Sequence, residues 1–171
     1  ESKLIAKEKG GVVVIGEVEI EIPAGALKKD TEISVSKLRI TDELEAGIEN
    51  VTEGARGYRF EPKGTKFKKD VIIRMGYDKK LNADEVALSN LYTYWYNERK
   101  RSWEALERVE IDREECKVVS KTNHFTDMIN ATLQDIEGVA EASVNINSIK
   151  GLEAADPNGG AGNREGLEGN N

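Results

Sequence analysis

The chain has 171 residues, of which 33% are charged and 38% are apolar, and its formal net charge is −7. This length suits one domain with extra segments, and the low apolar fraction predicts a thin core between two layers. The acidic excess argues against nucleic acid as the main partner. No apolar run approaches the roughly 20 residues that a membrane-spanning helix needs, so no membrane span is predicted.

The first part of the chain predicts short β-strands. Between residues 17 and 22, glutamates alternate with Val18, Ile20 and Ile22, which turns one face of a strand inward and the other to water. Residues 41–56 are polar and predict a long loop. The strands are expected at residues 12–15, 18–22, 33–38, 58–60 and 71–73, with a turn at 61–64 and the last of these strands central in its sheet.

The later part of the chain predicts a hairpin and two final strands. Residues 91–96 and 102–106 are expected to pair around a turn at 97–101, and the second arm is expected to continue through 109–111. The final strands are expected at 117–122 and 124–130, and one helical turn at 82–88. Short strands at this spacing favour an all-β fold, an antiparallel β-sandwich.

The composition changes near residue 131. Residues 131–171 hold seven acidic and two basic side chains, and residues 157–171 are rich in Gly and Asn, which is typical of a linker. We therefore predict a β domain over residues 1–130 and an acidic, extended connecting segment over 131–171, with a short helix at 147–154. Because the chain begins at Glu1 without an initiator Met or signal-peptide pattern, we interpret it as part of a longer protein.

The three consecutive residues His124, Phe125 and Thr126 combine a base, a bulky residue and a hydroxyl nucleophile, and His124 is the only histidine. The Thr126 hydroxyl can attack the carbonyl of Phe125, which moves the acyl group from nitrogen to oxygen, and water can then hydrolyse the ester. His124 is placed to take the hydroxyl proton. The competing interpretation is a lone histidine beside a core phenylalanine, both packed in a strand.

Several segments together resemble the ZU-five domain of zonula occludens proteins, netrin receptors and ankyrins. Residues 10–14 and 18–27 resemble its opening, residues 60–67 with 71–73 its middle strands, and residues 94–95 with 103–106 its late hairpin. Some domains of this family, and a death-domain protein built from them, carry His-Phe-Ser late in the domain and cut themselves between Phe and Ser.

Carried over by position, the resemblance implies that His124 is the base, Phe125 supplies the scissile carbonyl and Thr126 is the nucleophile. The chain departs from the family pattern by having Thr in place of Ser. Adhesion receptors cleave themselves with Thr in the equivalent role, so the resemblance implies that Thr126 is also able to react. The departure puts the rate of cleavage in doubt, because the β-branch of threonine restricts its rotamers. The resemblance therefore implies autoproteolysis in a single turnover, with no external substrate.

A second resemblance concerns residues 122–133, 148–150 and 154–157, which are similar to the N-terminal region of bacterial virulence-plasmid-B and insecticidal-toxin-complex proteins. It implies a secreted or cell-surface, toxin-like protein whose further domains follow residue 171. The expected partners are these downstream domains and the chain's own C-terminal fragment after cleavage. The alternative function is a non-catalytic protein-interaction or spacer domain of such a protein.

Other motifs predict neither a cofactor nor a metal ion. The chain has no Cys/His cluster, no calcium-loop pattern and no phosphate-binding glycine loop. Two neighbours of the tripeptide have open roles. Asn123 is either a donor to the developing oxyanion or a turn residue, and Asp127 either orients His124 or faces solvent. Cys116 is interpreted as a half-buried strand residue, with a catalytic pair to His124 as the alternative.

Overall fold

A computed structural model describes residues 1–39, 41–42 and 44–133. These residues fold into two antiparallel β-sheets, which confirms the predicted all-β sandwich. The expected helix at 147–154 and nearly all of the connecting segment at 131–171 lie outside the described residues. No helix in the described part of the chain is both long and apolar enough to cross a membrane.

The strands follow one another with short connections. In chain order they are β1 (Ser2–Ile5), β2 (Gly11–Ile15), β3 (Val18–Ile22), β4 (Thr31–Lys37), β5 (Ile48–Asn50), β6 (Tyr58–Glu61), β7 (Lys66–Gly76), β8 (Tyr92–Asn97), β9 (Ser102–Ala105), β10 (Glu107–Asp112), β11 (Lys117–His124) and β12 (Asp127–Leu133). A short 3-10 helix, Lys79–Ala83, precedes the single helical turn α1 (Glu85–Ser89), which agrees with the turn expected at 82–88.

The larger sheet has the order β1-β4-β6-β12-β8-β9, with β5 also paired to β12. The smaller sheet has the order β10-β11-β7-β3-β2. Strand β7 lies between β11 and β3, so the apolar run at 71–73 is central as predicted. The N-terminal strand β1 was not predicted, because its four residues offer too short a pattern to read.

The alternation predicted for β3 is confirmed. Val18, Ile20 and Ile22 are buried in the core between the sheets. On the opposite face of the strand, Glu19 and Glu21 each accept a hydrogen bond from Arg74 of β7, at 3.0 and 3.1 Å. The smaller sheet thus presents a charged, ion-paired outer face beside its apolar inner face, as an antiparallel sheet with one solvated side should.

The larger sheet is covered on both of its faces at β12 and at the start of β8. Every residue of β12 except Leu133 is buried. On the outer face, Tyr94 and Ile129 belong to a second apolar cluster that Leu44 and Ile48 pack against. The stretch 41–56 is therefore not a simple polar loop, since residues 48–50 form β5, which pairs with β12, and Leu44 and Ile48 pack against the outer cluster.

The strand β10 corrects the prediction that 109–111 would extend the hairpin. Strands β8 and β9 do pair around the 97–101 turn. After Leu106, however, the chain crosses to the smaller sheet and β10 pairs with β11. Leu106 is buried in the core between the sheets and its N–H donates to the carbonyl of Thr93 at 2.8 Å. Burial of this one side chain therefore anchors the corner where the chain leaves the larger sheet.

The last two strands belong to different sheets. Strand β11 lies in the smaller sheet and β12 in the larger one, and only Phe125 and Thr126 connect them. The predicted bounds were wrong by a few residues, since β11 extends to His124 rather than ending at 122, and β12 begins at Asp127. The tripeptide therefore lies at a crossover between the two layers. We call Phe125 and Thr126 the crossover.

Candidate functional site

The crossover is buried although it is a connection between strands. Phe125 is 1% exposed and Thr126 is 6% exposed. The Phe125 ring packs against Phe60 of β6 and Phe67 of β7, with ring centroids 5.5 and 4.8 Å apart. One phenylalanine thus fills the core between a strand of each sheet, and this burial fixes where the chain changes layer.

The main chain of Phe125 is held from one side by a turn at residues 62–65. Its N–H donates to the carbonyl of Thr65 at 3.0 Å, and its carbonyl accepts from the N–H of Gly64 at 3.0 Å. The turn itself is closed by the Thr65 N–H, which donates to the carbonyl of Pro62 at 3.1 Å. The carbonyl that would be attacked therefore already carries a hydrogen-bond donor on its oxygen.

Sequence reasoning did not anticipate the hydrogen bond that the N–H of Gly64 donates to the carbonyl of Phe125. Gly64 has a φ of +81°, in the left-handed region that residues with a side chain rarely adopt and that glycine adopts freely. A donor on a carbonyl oxygen stabilises the negative charge that develops there during attack. The Glu61-Pro62-Lys63-Gly64 pattern predicted the turn, but only the fold brings that turn to Phe125, which follows it by about sixty residues.

The ring of His124 has one nitrogen with neighbours and one without. Its Nδ1 lies 3.1 Å from Oδ1 of Asn123 and 3.3 Å from Oγ1 of Thr122. Its Nε2 is buried and has no hydrogen-bond partner among the described residues. A proton on Nδ1 satisfies the Asn123 oxygen and leaves the lone pair of Nε2 free, which is the state that a general base needs. Asn123 thus neighbours the base and is not a donor to the Phe125 carbonyl.

Burial lowers the pKa of His124 below its ordinary value of 6.5. The negative charge of Glu104 acts in the opposite direction, and the positive charge of Lys66 lowers the pKa further. The edge of the Trp95 ring, 4.4 Å between centroids, covers the imidazole. At neutral pH the imidazole is therefore uncharged and able to accept a proton.

The hydroxyl of Thr126 is not hydrogen-bonded to His124. It donates to the carbonyl of Tyr96 at 3.2 Å, and the Thr126 carbonyl lies 3.4 Å from the donating N–H of Phe60. The threonine hydroxyl is attached to Cβ, so it changes neighbours by rotation about χ1, and the β-branch restricts that rotation. The structure thus places Phe125 and Thr126 directly after His124 of β11, with the Thr126 hydroxyl bonded to the carbonyl of Tyr96 on β8.

Both roles considered for Asp127 are wrong. Its carboxylate is 8% exposed and accepts two hydrogen bonds from the guanidinium of Arg59, at 2.9 and 3.0 Å. It neither faces solvent nor orients His124. A paired Arg–carboxylate fork fixes geometry as well as charge. This ion pair holds the first residue of β12 against β6, directly after the crossover.

The remaining motifs are not part of this site. Cys116 is half-buried in the turn before β11, at the end of that strand opposite His124, so the alternative Cys–His pair is not formed. In the described part of the chain, no group of three His, Cys, Asp or Glu side chains is placed to hold a metal ion. The tyrosines of β8 lie on the outer face of the larger sheet, where Tyr92 and Tyr94 are buried.

Comparison with known proteins adds no identity. No protein-family model matches this chain, and no curated protein matches it. The resemblances to ZU-five domains and to bacterial toxin-complex proteins therefore stay predictions, and the function has to be argued from the geometry of the crossover.

Proposed function

We propose that this chain is a self-processing module that cleaves its own backbone once, between Phe125 and Thr126. The observation that carries the proposal is the pairing of two features at one peptide bond. The carbonyl of Phe125 accepts a hydrogen bond from Gly64, and the preceding residue, His124, has a buried ring nitrogen that no described residue bonds to. An oxyanion donor and a free base beside a hydroxyl residue are the parts that acyl transfer requires.

The reaction starts with proton transfer from the Thr126 hydroxyl to Nε2 of His124. The hydroxyl oxygen attacks the Phe125 carbonyl carbon, and the oxyanion that forms is stabilised by the Gly64 N–H. Collapse of this intermediate breaks the bond to the Thr126 nitrogen, which takes the proton from His124. The product is an ester between Phe125 and the Thr126 side chain, with a free amine on Thr126.

Hydrolysis completes the cleavage. Water adds to the ester carbonyl with His124 again as the base, and the ester bond breaks to regenerate the Thr126 hydroxyl. The fragments are residues 1–125, which end in a carboxylate, and residues 126–171, which begin with an amine. No cofactor or outside substrate enters this scheme.

Positioning has to supply much of the acceleration, because a planar amide is a poor electrophile. A general base contributes about 10²–10⁴-fold, and correct placement of the two reacting groups adds a large effective concentration. Several contacts favour such placement, since both main-chain groups of Phe125 are bonded to the 62–65 turn and Asp127 is clamped by Arg59. The Thr126 hydroxyl must first leave the carbonyl of Tyr96.

That last contact also favours the competing function, a non-catalytic interaction or spacer domain. In that case the Thr126 hydroxyl has a permanent structural partner in Tyr96, and Phe125 serves only to pack the core. We further propose that the chain, with either of these functions, belongs to a secreted or surface-exposed bacterial protein that has further domains after residue 171.

A denaturing gel with mass spectrometry separates the two functions. We expect purified protein to yield fragments of 125 and 46 residues (171 − 125 = 46), the second beginning with the free amine of Thr126. Hydroxylamine, which attacks esters far faster than amides, should speed the cut and leave a hydroxamate on Phe125. A chain that stays at full length with and without hydroxylamine would support the spacer function instead.

A further inference from the structure

Glu104 is a buried carboxylate of strand β9. It lies on β9 directly across from Trp95 of β8, and cross-strand partners project from the same face of a sheet. The Trp95 ring contacts the ring of His124, so this face looks into the sandwich toward the base. Only 8% of the Glu104 side chain is exposed.

Both carboxylate oxygens of Glu104 accept hydrogen bonds from side chains of its own hairpin. Lys100 donates from Nζ to one carboxylate oxygen at 3.3 Å, and Asn97 donates from Nδ2 to the other at 3.3 Å. The Lys100 side chain is itself 64% exposed, so water screens its charge. Inside the sandwich the carboxylate is a source of negative potential beside an apolar wall.

Two charges act on His124, and they have opposite signs. Glu104 favours the protonated imidazole, whereas Lys66, whose main chain pairs with that of His124, disfavours it. Burial also disfavours the protonated form. When a proton moves from Thr126 to His124, the imidazolium that forms is therefore destabilised by burial and by Lys66. The carboxylate of Glu104 stabilises it.

We propose that Glu104 is a positioning residue of the cleavage site, whose carboxylate supplies the negative charge facing the imidazolium formed when Thr126 gives its proton to His124. Glu104 contacts neither reacting atom and acts through His124. The proposal rests on the self-cleavage proposed above for its chemistry. The charge relation on which it depends can be measured in a protein that does not cleave.

The measurement is an NMR titration of His124 in the Thr126→Ala protein, where the single histidine gives unambiguous ring signals. Glu104→Gln, which keeps the shape of the side chain, should lower the pKa of His124 further. Lys66→Gln should raise it, and Glu110→Gln, which removes an exposed acid from β10, should leave it unchanged. An unchanged or raised pKa in Glu104→Gln would overturn the proposal.

The pH dependence of cleavage tests the role in the reaction. His124 acts as a base only when neutral, so the rate should rise with pH through its pKa and then level off. Without the carboxylate, Glu104→Gln should move the midpoint to lower pH and slow the plateau on the order of ten-fold, a part of the roughly 10²–10⁴-fold that a base contributes. Slowing with an unmoved midpoint would indicate a purely structural role and overturn the proposal.

A second pair of variants covers the case in which Glu104→Gln does not fold. Lys100→Gln changes an exposed residue and removes the cation that partly neutralises Glu104, so it should raise the pKa of His124. Arg99→Gln removes an adjacent exposed cation and should move it less. Equal shifts would overturn the proposal. If these shifts occur but the unmodified chain does not cleave, the proposed self-cleavage is contradicted, and the effect of the Glu104 charge on the pKa of His124 is still supported.

Discussion

Two connections between strands of this protein differ in almost every physical respect. The tip of the β8–β9 hairpin, Glu98–Arg101, returns the chain to the same sheet and is exposed. The crossover, Phe125 and Thr126, takes the chain from one sheet to the other and is buried. Main-chain groups of the tip bond to the adjacent Asn97 side chain, whereas those of the crossover bond to the distant 62–65 turn and to β6.

The difference explains why a cleavage site is plausible at one connection and not at the other. An exposed tip samples many conformations, and water competes for each of its polar groups. At the crossover, core packing of Phe125 and bonds on both of its main-chain groups hold one peptide bond in one place. Fixed geometry is what lets a weak nucleophile and a nearby base act on an amide.

The largest expected effect is complete loss of cleavage in Thr126→Ala, because the substitution removes the nucleophile. Thr126→Ser should still cleave, since it keeps the hydroxyl. Thr132→Ala is the matched control. Thr132 is a buried threonine of β12, and its hydroxyl donates to the carbonyl of Ala87 at 2.6 Å. Denaturing gels of the three variants measure the cut fraction.

The control separates chemistry from stability. Both alanine variants lose a buried hydroxyl hydrogen bond, which costs about 1 kcal/mol of folding stability in each. Only Thr126→Ala should fail to cleave. Cleavage after Phe125 in that variant would point to an external protease, and loss of cleavage in Thr132→Ala would mean that the reaction follows stability rather than the Thr126 hydroxyl.

The next largest effect is expected from His124→Ala. Because the chain holds no other histidine, cleavage should slow by about 10²–10⁴-fold, the contribution of a positioned general base. The substitution leaves a space beside Trp95, so added imidazole should restore part of the rate. The time course of cleavage on denaturing gels measures both effects. A normal rate in His124→Ala would exclude the histidine from the mechanism.

The sequence predicted much of the fold because local patterns carried it. Alternation in β3, the apolar run in β7 and the turn between β8 and β9 depend on neighbours along the chain, and all three are confirmed. The errors arose where distant residues decide the outcome. The loop at 41–56 contains β5, which pairs with the distant β12, and β10 joins the smaller sheet after Leu106, which is buried between the sheets.

The site divides in the same way. The tripeptide His124-Phe125-Thr126 is contiguous, so residue types alone suggested its chemistry. The donor to the Phe125 carbonyl could not be predicted, because a backbone N–H has no sequence signature and Gly64 reaches Phe125 only through the fold. Asp127 was misread since its partner, Arg59, is distant in sequence. Glu104 was missed because a lone glutamate in a strand is most often solvated.

A smaller effect, on stability, sharpens the contrast between the two connections. In the Thr126→Ala background, Phe125→Ala should lower the free energy of unfolding by about 3–5 kcal/mol, the typical loss for a fully buried phenylalanine. Arg99→Ala at the hairpin tip should change it by no more than about 0.5 kcal/mol. Urea unfolding measures both. Similar values at the two positions would contradict the view that the crossover is a packed element.

The smallest expected effect is that of cleavage on the association of the two fragments in the folded protein. Strand β12 lies inside the larger sheet, paired with β6 on one side and β8 on the other, with β5 along its final residues. Cleavage before Thr126 breaks one covalent bond and leaves these ladders, the Arg59–Asp127 ion pair and the burial of Met128 and Ile129 in place. Each large buried side chain contributes roughly 1.5–3 kcal/mol.

Fragments 1–125 and 126–171 should therefore remain one particle after processing. Native mass spectrometry of cleaved protein should give the mass of the intact chain plus one water, and the fragments should separate only in denaturant. Free 1–125 at neutral pH without denaturant would contradict this. A nick held by packing, hydrogen bonds and an ion pair is a joint that force or strand exchange can open, because the central β12 can then leave the sheet without any further covalent bond being broken, and whatever follows residue 171 leaves with it.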